Sequence, residues 1–137
     1  MMPAATNMGS GACMGTPDTL YDPITLASTG VMTPIPGPNN AMHTTGVPMA
    51  LKVIIGTGMA LVMSTQIPVS ISPGVPPLMG MISQTCGMLA MFTKGSTKVL
   101  LTGQPAICVS CTTTQNTANV PSGLQSIPSQ PKVLFAP

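Results

Sequence analysis

The sequence predicts an all-β fold made of short hairpins packed around a common axis and joined by long Pro/Gly-rich loops. Three observations carry that expectation. Sixteen prolines are spread over 137 residues, and Pro breaks the hydrogen-bond ladder of any long helix. The apolar runs are short and bounded by Gly, Pro and Asn, the residues of turns. Finally, an internal repeat exists. KVIIGTGMALVMS at 52–64 lies without a gap over KVLLTGQPAICVS at 98–110, at a constant offset of 46 residues.

The elements follow in chain order within one domain, residues 1–137. Residues 1–46 are rich in Pro, Gly, Thr and Asn, and MTPIPGPNNAM has turn residues at nearly every position; a loop-rich N-terminal wrap with short strands is expected there. Residues 47–111 hold the repeated hairpins. Lys52/Lys98, Val53/Val99, Ala60/Ala106 and Ser64/Ser110 are identical across the repeat, and Ile54/Leu100, Ile55/Leu101, Leu61/Ile107, Val62/Cys108 and Met63/Val109 are apolar matches. Each unit reads as two strands with a Gly-containing turn between them. Such strands cannot each bury a core, but related hairpins around one axis can, with small residues at the crowded centre. The tail, 112–137, begins polar and ends in KVLF, a final strand that docks on the sheet or on a partner.

Composition removes whole classes of function. The charged residues are Asp18, Asp22, Lys52, Lys94, Lys98 and Lys132, where ordinary domains are about one quarter charged. Four scattered lysines and three aromatic residues are no nucleic-acid footprint. General acid–base catalysis needs titratable groups in a pocket, and the chain has one His and two carboxylates. Asp18 and Asp22, in TPDTLYDP, suit a turn or a helix cap, so no enzyme is expected. Thirteen methionines, not clustered with the His, read as adaptable core filler and contact surface rather than as a copper site. The N-terminus has neither basic residues nor a long apolar run, so no secretory signal is expected. Residues 53–71 are apolar and long enough to span a bilayer, yet Gly56, Gly58, Ser64, Gln66 and Pro68 interrupt them, and strands broken by turns explain them better.

One stretch carries a resemblance. TCGMLAMFTKGSTKVLLTGQPAICVSCTTTQN, through Cys86, Gly87, Gly95, Ser96, Val99, Leu100, Leu101, Gly103, Pro105 and Ala106, resembles the core unit of the PAAR and PAAR-like proteins. The opening MMPAATNMG, the segment TPIPGPNNAM and the ending TTTQN are similar to further parts of that family. The resemblance implies a small pseudo-threefold β-cone. It implies a structural tip that caps the trimeric β-helical spike (VgrG-like) of a contractile injection machine, such as a type VI secretion system. One copy would sit on each trimer, sharpen it for puncture of a target membrane and carry effector cargo. Such a protein would be made in the cytoplasm, assembled on the machine and delivered outside the cell. A zinc ion near the apex, held by His and Cys, is a further implication.

The ligands for such a zinc would be His43, Cys86, Cys108 and Cys111. Cys108 and Cys111 have Cys-x2-Cys spacing, Cys86 stands where the family often has a ligand, and His43 is the lone imidazole. Strand alternation opposes the set, because Cys111 points away from Cys108 unless the chain turns between them. The other readings are a buried Cys108 matching Val62, a disulfide, and a His43 bonded to the turn-rich backbone. Cys13, in GSGACMGTPD, is expected to be an unpaired loop residue. Two other functions stay open at this point: a small membrane-active effector that uses the uncharged 53–92 segment, and a soluble zinc-binding module.

Overall fold

In the computed structural model, residues 1–72 and 78–137 are described, and they form an all-β protein with one short helix. In chain order the elements are β1 (Met2–Ala4), β2 (Ala12–Tyr21), α1 (Pro23–Thr29), β3 (Ile35–Met42), a 3-10 turn at His43–Thr45, β4 (Ile54–Ile55), β5 (Gly58–Met59), β6 (Gln66–Ile67) and β7 (Ser70–Ile71). They continue with β8 (Met79–Gly80), β9 (Ala90–Phe92), β10 (Leu100–Leu101), β11 (Gln104–Pro105), β12 (Thr112–Gln115), β13 (Val120–Ile127) and β14 (Gln130–Phe135). α1 has a full set of end signals. Asp22 accepts from the Ile24 amide, Pro23 opens the first turn, and Gly30, at φ 71°, closes the helix; a left-handed residue there costs glycine nothing. The helix buries none of its residues.

The repeat is real in space. β4 pairs with β5 (Ile54↔Met59, Ile55↔Gly58) and β10 with β11 (Leu100↔Pro105, Leu101↔Gln104), the same register at the same 46-residue offset. A third unit completes the set. β14 pairs with β1 through Leu134↔Pro3 and Phe135↔Met2, so KVLF takes the place of KVII and KVLL, and Pro3-Ala4-Ala5 that of Pro105-Ala106-Ile107. The KVLF tail therefore docks within the fold, and the third blade is split between the two ends of the chain.

The inner strands of the three blades close on one another. The Ala5 amide donates to the Ile107 carbonyl (2.9 Å), Ile107 to Leu61 (3.0 Å) and Leu61 back to Ala5 (2.9 Å). A second ring runs from Asn7 to Met59 (3.0 Å), Met63 to Pro105 (2.9 Å) and Val109 to Pro3 (3.0 Å). The bridges Ala4↔Cys108, Thr6↔Ala60 and Val62↔Ala106 obey the same cyclic rule. One approximate threefold axis relates all nine contacts. Ala4, Ala60 and Ala106 are fully buried around it; a methyl group is what lets three backbones approach so closely.

The remaining strands form an eight-stranded antiparallel sheet in the order β6-β9-β12-β13-β2-β3-β7, with β8 paired to β2. β2 and β3 lie in the segment expected to be a loop-rich wrap. β2 is ten residues long and alternates buried and exposed positions, but small residues such as Ala12, Gly15 and Thr16 hide the alternation. The core joins the sheet to the blades through Cys13, Ala41, Ile67, Phe92 and Cys111 on one side and Ile55, Leu61, Ile107 and Phe135 on the other. No methionine is among the buried core residues, and ten of the thirteen are exposed. The core-filler expectation is therefore corrected: alanines and β-branched residues fill the tight axis, where a long flexible thioether does not fit. Among the described residues no helix is long and apolar enough to cross a membrane, and the apolar stretch 53–71 is divided into β4, β5, β6 and β7.

Candidate functional site

The hairpin geometry fixes what each blade shows to the outside. Within each unit one aliphatic side chain points outward: Ile54 is 68 % exposed, Leu100 62 % and Leu134 47 %. The next residue turns inward, so Ile55 and Phe135 are buried and Leu101 is half-buried. Lys52, Lys98 and Lys132 precede the three pairs and are all exposed. Three of the four basic residues thus occupy equivalent positions. Three like surfaces, each an apolar residue beside a lysine, are set around the axis.

The same symmetry explains Cys111. The amide of the residue at the end of each inner strand is accepted by a side chain: Thr6 by Ser129 Oγ (2.6 Å), Val62 by Thr65 Oγ1 (3.1 Å) and Cys108 by Cys111 Sγ (3.3 Å). The Thr65 amide returns to the Val62 carbonyl (2.9 Å), and the Cys111 amide to the Cys108 carbonyl (3.1 Å). A turn therefore lies between the two cysteines, as the Cys-x2-Cys spacing required, and their sulfurs are 3.5 Å apart. Burial, aided by the hydrogen bond with Cys111, pushes the Cys108 thiol up to about 12.

His43 is elsewhere in the core. Its neighbour is Cys13, a free thiol that lies buried on β2 and not in a loop. Cys13 Sγ donates to Gln125 Oε1 (2.9 Å); His43 Nε2 lies 2.5 Å from the same oxygen and 3.6 Å from the sulfur. Of the backbone contacts expected for His43, its amide reaches the Gly11 carbonyl (3.0 Å), and its ring has a hydrogen bond with the Thr6 backbone beside those with the Gln125 and Ser129 side chains. Burial pushes the Cys13 thiol up, with nearby Cys111 adding to the effect, and burial holds the His43 imidazole below its usual value against the opposing bond to Gln125. Cys86 is exposed. Its neighbour Gly87 explains the local motif better, because Gly87 has φ 63° and a Cβ there would meet the Ser70 carbonyl.

The structure thus does not bring His43, Cys86, Cys108 and Cys111 together. It forms two pairs, Cys13 with His43 and Cys108 with Cys111, and among the described residues no three His, Cys, Asp or Glu side chains are grouped to hold a metal. A closed zinc site needs four ligands; neither pair offers more than two, and the Gln125 amide oxygen fills the space between thiol and imidazole. The residues present do not fit the zinc that the family resemblance implied.

The sequence reading also missed a polar site. Asp18, expected in a turn or cap, is fully buried on β2. Its carboxylate accepts from Asn39 Nδ2 (2.8 Å), Asn116 Nδ2 (3.2 Å), Asn119 Nδ2 and Ser72 Oγ. Asn116 and Asn119 sit in the β12–β13 turn, where Asn116, Thr117 and Ala118 all have positive φ, and Asn39 belongs to the PIPGPN stretch of β3. The signal available was a carboxylate in a chain that has no Arg and clusters most of its few Asn in NN at 39–40 and in NTAN at 116–119. Asp22, by contrast, is the cap that was expected.

No curated protein and no solved structure matches the chain. A family model does match, the Toxin PAAR-like domain, over residues 11–122. The match takes in the eight-stranded sheet almost whole and two of the three blades; β1 and β14, which make the split blade, fall outside it. With more than half of its length matched, the chain belongs to the family described as the Toxin PAAR-like domain.

Proposed function

We propose that this protein is a structural tip that caps the trimeric β-helical spike of a contractile injection machine, one copy per trimer. The observation that carries this reading is the closed ring of Ala5, Leu61 and Ile107 hydrogen bonds, which gives a single chain three matching sides. A monomer docking on a threefold platform needs just that: three equivalent contacts from one sequence. The exposed Ile54, Leu100 and Leu134 are the contact residues. They are apolar and desolvate at little cost, and the lysine beside each, Lys52, Lys98 and Lys132, sets the rotational register. The short, mutually bonded blades suit a part that takes load during puncture of a target membrane. The tip is made in the cytoplasm, assembled on the machine and carried out of the cell with it, with the exposed sheet face left free for effector cargo.

Binding to the trimeric spike protein tests the reading. Ile54→Asp/Leu100→Asp/Leu134→Asp replaces three exposed side chains and should leave folding intact. Losing about 1.5 kcal/mol of apolar burial at each site weakens spike binding by about three orders of magnitude. Binding of the triple variant at wild-type affinity would reject this docking face.

A further inference from the structure

Only one of the three blades carries two thiols at the end of its inner strand. The equivalent position in the first blade holds Val62 and Thr65, and a turn closed by the same pair of hydrogen bonds forms there, with Ser110 at φ 74° where its counterpart Ser64 does not take a positive φ. A turn at this place, closed by these two bonds, therefore does not need cysteines. It places Cys108 Sγ and Cys111 Sγ 3.5 Å apart, and closing a bond of about 2.05 Å asks only for rotation of two side chains within a turn already made. The pair is also reachable. A surface pocket of about 240 Å³ opens on it, lined by Lys94, Thr97, Val109 and Pro137 as well as both cysteines. Cys111 is 5 % exposed and Cys108 fully covered, so an incoming reagent meets Cys111 first.

We propose that Cys108 and Cys111 form a redox-active dithiol whose substrate class is a small-molecule disulfide, and that its oxidation locks the junction between the three-blade axis and the eight-stranded sheet. The reaction is thiol–disulfide exchange. Cys111 gives its proton to solvent and its sulfur attacks one sulfur of the oxidant R–S–S–R; an RS⁻ leaves and takes up a proton, and a mixed disulfide remains on Cys111. Cys108 then loses its proton and attacks Cys111 Sγ, and the second RS⁻ leaves and is protonated. The protein dithiol is oxidised by two electrons to a disulfide, and the oxidant is reduced to two thiols. The bond falls at a seam. Cys108 is bridged to Ala4 of the split blade, and the Cys111 carbonyl accepts from the Gln125 amide on β13 (2.8 Å). A cross-link here stiffens the turn by which the inner strand of this blade passes into β12 of the sheet once the protein leaves a reducing compartment.

The test uses the folded protein with Cys86→Ser, which removes the exposed thiol. It is equilibrated in glutathione buffers of graded poise, acid-quenched, unfolded, alkylated and read by peptide mass spectrometry. The expected result is a peptide spanning Cys108 and Cys111 that has lost two hydrogens and both alkylation sites, together with a rise in thermal midpoint that reductant reverses. Cys108→Val should arrest at the Cys111–glutathione mixed disulfide. Cys108→Val/Cys111→Thr copies the Val62/Thr65 turn, so it should fold and lose the redox-dependent midpoint shift. Two outcomes would overturn the proposal: both sulfurs remain alkylatable at a poise that glutathionylates Cys86 in the parent protein, or the parent stops at the mixed disulfide.

Discussion

Asp18 is a buried polar junction of this fold. Its carboxylate is the common acceptor for Asn39 of β3, Ser72, and Asn116 and Asn119 of the β12–β13 turn, so one residue ties four segments of the sheet together. Asp18→Ala leaves buried amide donors without an acceptor, each costing about 1–3 kcal/mol, and should lower unfolding stability by about 3 kcal/mol or more in urea titration. His43 gives a second prediction. Its folded-state pKa is depressed, first by burial, so below about 6.5 the unfolded chain binds a proton that the native state refuses. Stability should therefore be flat above that pH and fall as pH drops through and below it, and His43→Gln should flatten the slope in acid. At this scale the sequence was only partly legible. The Asp22 cap and the buried Cys108 matching Val62 could be read, because helix ends and repeats are local. The partnership of His43 with Cys13 and Gln125 could not, since it joins three segments far apart in the chain.

The hairpin is the unit in which the sequence spoke most clearly. A gapless 46-residue offset predicted two blades, and their registers and capping bonds repeat at that offset. The third blade was hidden because its strands stand at opposite ends of the chain, where no constant offset can align them; KVLF and PAA were its traces. Long β2 and β3 were hidden too, since Gly, Pro and Asn read as turns where the sheet in fact tolerates them at register shifts, such as that between Gly15 and Asp18. The three inner strands should respond alike to crowding. Ala60→Leu or Ala106→Leu pushes a larger side chain into a fully buried ring position, and each should cost about 1–3 kcal/mol, measured by the same denaturant titration. Equal losses at the two sites would reflect the pseudosymmetry directly, whereas a neutral effect at either would show that its blade does not close the ring.

At the scale of the whole molecule, charge poverty and threefold closure belong together. A chain with six charged residues keeps a surface of Met, Ile and Leu that would be a liability for a free monomer and is an advantage for a part assembled against other proteins. The family match over residues 11–122 and the closed ring outside and inside that range point to one working object, a wedge with three like sides. The most direct measurement is the native mass of the complex formed with its cognate trimeric spike protein. The account predicts one copy of this chain on three spike chains, with no other stoichiometry populated. Three copies per trimer, or no complex at all, would contradict it.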